Sequence, residues 1–466
     1  MTGPAITLDP GLRTPGYRQI ANRLREAVAA GTLAPGARLP STRSLASQLG
    51  VARGTVDAAY AVLGGEGIID ARGPAGSIVS PHLAASPLPA SRPARRAAEH
   101  IPGPLLPLPF RMGLPALDAF PRKLWSRLSV QVARGAGTPE LIYPELAGHR
   151  PLREAIAAYL GVSRGIACTA RQVMITAGFQ GALALVTQAL LRNGDTVWVE
   201  DPGYPLARHA LTSASVRTVP VPVDRGGMRI EAGVAAAPHA RLAVVTPTHQ
   251  SPLGVALSLP RRLALLGWAA EAGAWVLEDD YDSEFRYTGH PLPALKSLDR
   301  GERVLYAGSF SKVLFPGLRL GYLVVPDELA DDFLRASHTL LAGQPVPPQR
   351  VVAAFMEQGH FARHLRRMRS LYAARRRALA AALTAVFGEG ARLELEAGGM
   401  HLLLRFPDPV NDVDLTRRAA EAGLAPTPLS SLAVAHDCGQ GLLVGFTNVP
   451  ESEAAGLAQR LAEAVC

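Results

Sequence analysis

Residues 81–109 read PHLAASPLPASRPARRAAEHIPGPLLPLP. Their apolar positions recur with neither a 3.6- nor a 2-residue period, and the prolines favour extended backbone, so the run predicts a semi-rigid connector rather than a packed element. An irregular surface loop inside one domain is the alternative, but structureless loops of this length are uncommon in compact domains. The chain is therefore expected to divide into a small unit over 1–80, a Pro/Ala-rich linker over 81–109 and a large unit over 110–466. That suits 466 residues at roughly 100–200 per domain. With 48% hydrophobic and 19% charged residues the composition is globular, and no fixed-period repeat points to a solenoid or propeller.

Three short helices are expected in the small unit. GYRQIANRLREAVAAG puts Ile20, Leu24 and Val28 on one stripe, ended by Gly31 and Pro35. LPSTRSLASQLG offers Ser41 as N-cap of a second helix stopped by Gly50, and VARGTVDAAYAVLGGEG gives a third with Val56, Tyr60 and Leu63 inward. IIDARGPAGSIVS then reads as two strands around a Gly/Pro turn, the wing of a winged helix. In a helix-turn-helix the second helix of the pair meets base edges with its N-terminal residues, here Arg53 and Thr55. An Arg there forks onto guanine O6 and N7 or onto a phosphate, while Ser41, Thr42 and Arg43 are placed to fix the DNA backbone. Charge does not decide the matter. The net +9 of the chain reads as diffuse, and residues 1–80 hold eight Arg against five acids, which suits a protein-interaction module equally well. The longer pattern LAPGARLPSTRSLASQLGVARGTV resembles the winged helix-turn-helix of GntR-type regulators. That resemblance implies duplex DNA as partner, puts Arg43 and Arg53 at DNA-contacting positions and Gly76 at the wing tip. Asp57 departs from it, standing where many members carry a further DNA-contacting Arg.

In the large unit the apolar runs QVMIT, TVWVE, RLAVVT, AWVLED, RVLYAG and GYLVV alternate with helix-like segments such as GALALVTQALL. Continuous rather than alternating apolar strands predict a mostly parallel sheet covered on both faces, and HLLLRF onward reads as a smaller α+β lobe. Lysine occurs only as Lys123, Lys296 and Lys312, against 45 Arg. GSFSKVLFPGLRLGY sets Lys312 between Ser309, Ser311 and a Pro-Gly turn, with Arg319 seven residues on. An amine, hydroxyls and a cation outline a site for a phosphate-bearing aldehyde, because Arg cannot form a Schiff base and a desolvated Lys can. Lys123 and Lys296 lack such surroundings and read as solvated loop lysines. AWVLEDDYDSEF ends a strand at Asp279, with Tyr281 two residues on. A carboxylate facing a pyridine nitrogen keeps that ring an electron sink and a phenol tunes its ring oxygen, although an acidic capping loop explains the same residues. ITAGFQGALAL frees backbone N–H groups of Gly178 and Phe179 at a helix N-terminus for a phosphate, and DPGYP puts the Tyr204 ring on a rigid turn where it can stack on a flat cofactor.

In this order and spacing the segments resemble a fold-type-I, class I aminotransferase domain from about residue 110 to the end. The resemblance implies pyridoxal 5'-phosphate, with Lys312 as the catalytic Schiff-base lysine, Asp279 facing the ring nitrogen, Tyr281 the ring oxygen and Tyr204 stacked on the ring. Ala177, Gly178, Phe179, Ser309, Ser311 and Arg319 would line the phosphate, and Tyr143 would reach the phosphate of the other subunit of a homodimer. The Asn of the usual Asn-Pro-x-Gly motif is Ser251 in THQSPLG, which directs attention to His249 and Gln250, while Arg208 is a further anion-binding candidate for an effector. Class I aminotransferases clamp the substrate carboxylate with an Arg in the C-terminal lobe. Here no Arg lies between Arg418 and Arg460, and the segment offers Ser430 and Ser431 instead.

The whole chain thus resembles the MocR/GabR family of α/β multidomain regulators. The resemblance implies a cytoplasmic homodimer that binds an operator and responds to a ligand at the cofactor, and the missing lobe arginine points to sensing of an amine, an amino acid or pyridoxal phosphate rather than efficient turnover. An aminotransferase with an appended head, and a repressor whose second domain only dimerises, are the competing readings. Cys168, Cys438 and Cys466 are odd in number and far apart, so neither a disulfide framework nor a metal site is expected. No signal-like start and no run of about 18 apolar residues points to secretion or a membrane.

Overall fold

The computed structural model describes residues 7–9, 11–12, 14–73, 76–83, 106–290, 292–340, 342–407 and 410–465. The chain separates into two compact units, Met1–Leu105 and Leu106–Cys466; of the expected linker, residues 84–105 lie outside the described residues.

The first unit holds α1 (Gly16–Ala29), α2 (Thr42–Leu49) and α3 (Arg53–Gly65), then β1 (Ile69–Ala71) and β2 (Ser77–Val79), an antiparallel pair with Ile69 opposite Val79. Ser41 caps α2, its side chain accepting from Ser44 N at 3.1 Å, and Gly50 ends that helix at φ 65°, a left-handed conformation that costs Gly little. Ile20, Leu24, Leu45, Val56, Leu63 and Val79 form one buried core. In the last turn of α1 Ala27, not Val28, takes the inward position, and Val28 stays half-buried.

The second unit is built on an eight-stranded sheet of order β3-β10-β9-β8-β7-β4-β5-β6. Its strands are β3 (Val173–Thr176), β4 (Thr196–Asp201), β5 (Arg217–Asp224), β6 (Gly227–Met228), β7 (Leu242–Val245), β8 (Trp275–Asp280), β9 (Val304–Ser309) and β10 (Gly321–Val324). The run from β9 to β5 is parallel, whereas β10 is antiparallel to both its neighbours. Every residue of β3, β7, β8 and β10 is buried, as strands covered on both faces require. A second sheet, β11 (Arg392–Glu394), β12 (His401–Arg405), β13 (Thr427–Pro428) and β14 (Leu442–Gly445), is antiparallel throughout. It forms the C-terminal lobe with the helices Asp412–Glu421 and Ala454–Val465.

Candidate functional site

The carboxyl ends of the parallel strands bring together residues from distant parts of the chain, the usual place for a ligand in an open α/β sheet. Asp279 lies one residue from the end of β8. Ser309 closes β9 and caps the short helix Phe310–Val313, its hydroxyl accepting from Ser311 N at 3.2 Å, so that the helix carries Lys312 inward. Arg319 adopts a left-handed conformation (φ 49°) and donates to Ala177 O at 3.1 Å. Gly178 opens the helix Gly178–Leu190 at φ 72°, and a Cβ added to it would stand 3.8 Å from the Arg319 guanidinium. Phe179, Tyr204, Asp279, Tyr281, Ser309, Ser311, Lys312 and Arg319 all line one cavity of about 290 Å³.

Burial pulls the Lys312 amine below its ordinary range, helped by Arg319 and opposed by Asp282 and Asp279. Its Nζ donates to Gly113 O at 2.9 Å. Burial, then the neighbouring carboxylates Asp280, Asp282 and Glu200, hold Asp279 well above the usual carboxylate range, with Lys312 opposing. The Asp279 side chain faces the cavity without a hydrogen bond among the described residues, so a cationic ring nitrogen there would supply the partner it lacks. A buried amine whose pKa is drawn down, a carboxylate without a hydrogen bond, and a guanidinium beside a helix start fit pyridoxal phosphate.

Around this centre several expectations change. His249 stands behind Tyr281 rather than in the cavity wall, with Nδ1 3.0 Å from the Tyr281 hydroxyl and 3.1 Å from Asp282 Oδ2; Ser251 occupies the wall. Gln250 does not face the cavity, because its amide nitrogen is spent on Pro202 O (2.9 Å) and Ser251 O (2.8 Å) and its oxygen on Leu253 N (2.9 Å). Arg208 lines a neighbouring recess with Tyr204, Glu200 and Asp279. Tyr143 is 90% exposed and does not line the cavity of its own chain. Lys296 is no solvated loop lysine: it is part-buried, its Nζ donates to Val304 O at 2.6 Å, and burial pulls its pKa down.

Ser430 and Ser431 do not replace the missing lobe arginine, because their hydroxyls are bonded to Asp412 and to Pro428 O. Arg418 and Arg460 turn to the carbonyls of Val465 (2.9 Å) and Ala422 (2.5 Å), while Leu442 and Leu443 are fully buried. The cavity also gains Met112 and Gly113 from the start of the unit and Met400 and His401 from the lobe, none of which belongs to a motif visible in the sequence. His401 is neutral, burial and then His249 drawing its pKa down to about 4, and its Nε2 donates to Pro252 O at 2.8 Å.

On the first unit Arg43 and Arg53 are exposed at the starts of α2 and α3, and Thr55 is half-exposed. Arg53 Nε lies 3.5 Å from Asp57 Oδ2, one turn on. Gly76 (φ 91°) borders the wing, its carbonyl accepting from Arg72 N at 2.7 Å. Among the described residues no cluster of metal-ligating side chains occurs, and no helix is long and apolar enough to cross a membrane.

Comparison with known proteins adds two family matches: bacterial regulatory proteins of the gntR family over residues 16–79, and aminotransferase class I and II over residues 117–461. A probable rhizopine catabolism regulatory protein, MocR, of Rhizobium meliloti is 37% identical over 95% of this chain and 92% of its own. The pyridoxine biosynthesis transcriptional regulator PdxR of Corynebacterium glutamicum is 34% identical over 99% and 98% respectively. Among solved structures, the α-aminoadipate aminotransferase LysN of Thermus thermophilus, complexed with N-(5'-phosphopyridoxyl)-L-leucine, superposes with a TM-score of 0.70 at 30% identity, over 77% of this chain and 92% of that one. A kynurenine aminotransferase of Pyrococcus horikoshii gives a TM-score of 0.69 at 30% identity, over 76% and 90%.

Proposed function

Because the chain belongs to the MocR-type transcription regulators, which join a GntR-family helix-turn-helix to a class I aminotransferase domain, we propose that it binds operator DNA through residues 1–80 and senses a small amine, amino acid or pyridoxal phosphate at a cofactor held on Lys312. The observation that carries this is the convergence of Lys312, Asp279 and Arg319 on one cavity in a chain that begins with a winged helix. When bound, pyridoxal phosphate supplies an aldehyde that condenses with amines and a ring that withdraws electrons. Asp279 would pair with the ring nitrogen, Tyr281 with His249 behind it would serve the ring oxygen, and Tyr204 would pack on the ring. Arg319, Ser309, Ser311 and the backbone from Ala177 to Phe179 hold the phosphate, joined by Tyr143 of a second copy in a cytoplasmic homodimer. Residues 81–109 act as the tether between this domain, 110–466, and the head.

Sensing is favoured over turnover because the lobe provides no guanidinium to hold an α-carboxylate in register, and transfer of a proton at the α-carbon depends on placement within a fraction of an ångström. Borohydride reduction of the purified protein should fix the cofactor to the peptide containing Lys312; a label on the Lys296 peptide overturns the assignment. Amines should change the cofactor's visible spectrum while a coupled keto-acid assay stays near background, and rapid multiple turnover of a common α-amino acid would make the protein an enzyme.

A further inference from the structure

The helix His360–Phe387 buries Phe361, Leu365, Met368, Tyr372 and Leu379 on one face at helical spacing. Its other face is unusual. Between Gln358 and Gly388 stand seven arginines and no Asp or Glu, in a chain whose whole net charge is +9. The positive charge that composition makes look diffuse is concentrated here.

Three of the seven are committed within the fold. Arg375 pairs with Asp118, Arg376 lies over the Tyr287 ring at 5.3 Å, and Arg369 donates to Glu284 O at 3.0 Å. Arg363, Arg366, Arg367 and Arg377 are exposed and reach no carboxylate among the described residues; Arg363 meets only the His360 ring, at 3.2 Å. Several exposed helical arginines elsewhere have acids one turn away, as in Arg150 with Glu154, Arg335 with Asp332, and Arg417 with Asp414 and Glu421, whereas the acid-free helix Arg122–Arg134 spreads its exposed Arg127 and Arg134 two turns apart. Here four exposed arginines share one face of one helix, and Arg363 and Arg367 form a like-charged i,i+4 pair that weakens a helix, so an external polyanion would relieve a repulsion that the chain itself leaves standing.

From Arg363 to Arg377 the stripe is about 21 Å long at ~1.5 Å per residue. A DNA duplex of that length carries roughly 12 phosphates at one per ~1.7 Å, and guanidinium forks suit phosphate oxygens. We propose that this face of the helix is a second DNA-binding surface, which grips the phosphate backbone without regard to sequence while the head reads bases. The proposal rests on the DNA-binding reading above and assigns the large domain a part in it.

The test uses the full-length, cofactor-loaded protein and a mixed-sequence 40-bp duplex, with affinity followed by fluorescence anisotropy across a salt series. Arg366→Gln with Arg367→Gln should lower the slope of log K against log salt by about 2 and weaken binding at 0.1 M salt by about tenfold or more, at roughly 0.9 for each phosphate no longer neutralised. Arg366→Lys with Arg367→Lys keeps the charge and should keep the slope. Arg43→Gln with Arg53→Gln should remove sequence preference but leave mixed-sequence binding that the first pair then removes. An unchanged slope in the Gln pair overturns the proposal alone, as does a Lys pair damaged as badly as the Gln pair. Loss of binding to phosphatidylserine vesicles with DNA binding intact overturns it in favour of a membrane surface. Wild-type protein that binds no duplex at any salt overturns the DNA-binding reading itself.

Discussion

Gly113 holds the Lys312 amine in place, and Gly113→Ala should show it. The backbone there is left-handed, φ 70°, which costs an L-residue about 1–2 kcal/mol. A Cβ at this position would sit 2.6 Å from Lys312 Nζ and 3.3 Å from Cε, where ordinary contact begins at 3.4 Å, so the amine must retreat by roughly 0.8 Å. Its hydrogen bond to Gly113 O, worth about 0.5–1.5 kcal/mol net, is strained or broken at the same time. The flexible lysine stem absorbs part of the clash, leaving a destabilisation of about 2 kcal/mol, most of it in the backbone. The chemical effect should be larger, since misplacing a reacting group by about 1 Å can cost on the order of 100-fold in rate. Uptake of pyridoxal phosphate by the apo-protein, followed by stopped-flow absorbance, should therefore slow by about 10- to 100-fold, while urea unfolding shows only the smaller loss. In a Lys312→Ala background the stability cost of Gly113→Ala should shrink to its backbone share. Uptake within twofold of wild type would refute the idea that this glycine confines the amine.

Glu200, part-buried in the recess lined by Tyr204 and Arg208, is pushed by burial from 4.5 to about 7 against hydrogen bonds from Thr246 and Gln250. The folded state therefore binds this proton more tightly than the unfolded state, and the stability it lends is complete below about pH 4.5 and lost as pH rises through about 7. Glu200→Gln should flatten that limb by up to roughly 3 kcal/mol, and urea midpoints with an unchanged pH slope would contradict it. On the head, Asp57→Ala frees Arg53 from a 3.5 Å exposed pair and removes a negative charge near the DNA. Mixed-sequence affinity should rise, and discrimination should fall if Arg53 forks onto a guanine, each by at most about fivefold for a pair worth roughly 0–1 kcal/mol; unchanged values for both would show that Asp57 does not touch the readout. Mixing Lys312→Ala with Tyr143→Phe chains should restore one near-normal cofactor site per heterodimer, and a cofactor-loaded monomer in sedimentation would rule out the shared site.

Residues whose role demands a particular functional group were legible in the sequence. With three lysines and 45 arginines, Lys312 stood out because no guanidinium can do what its amine does. The α2 cap was legible for a similar reason, since Ser41 and Gly50 each answer a local need of the backbone. What escaped was set by packing. β5 carries Pro220 and Pro222 and does not read as a strand, yet it is tolerated beside β4 because its other neighbour, β6, pairs only with Val223 and Asp224. Lys296 reads as a loop lysine because nothing local signals that its amine meets Val304 O, eight residues on at the start of β9. Met112, Gly113 and Met400 bring shape rather than chemistry to the cavity, and a glycine or methionine announces neither. The arginines of His360–Phe387 were visible but blended into an Arg-rich composition until the helix separated its inner members from its outer ones.

The lobe shows why an absent residue can say as much as one present. Leu403, Leu429, Leu432 and Leu443 pack as a buried apolar cluster, with Met112 and Leu253 against it, in the region where an aminotransferase would present its carboxylate clamp. Met112 also lines the cofactor cavity, so this cluster backs the cavity wall. A carboxylate pressed against that wall would lose water and gain no partner, at a cost of several kcal/mol for an uncompensated charge. The guanidinium that stands near the cavity on the other side is Arg208, in the recess beside Tyr204 that Glu200 and Asp279 share. An amine effector would accordingly be one that reaches the cofactor aldehyde carried on Lys312, rests its body on an apolar lobe, and points its anionic end, where it has one, away from that lobe. An α-amino acid has its carboxylate one bond from the carbon that bears its amine and cannot meet these three demands at once, whereas a longer amine with a remote acid can.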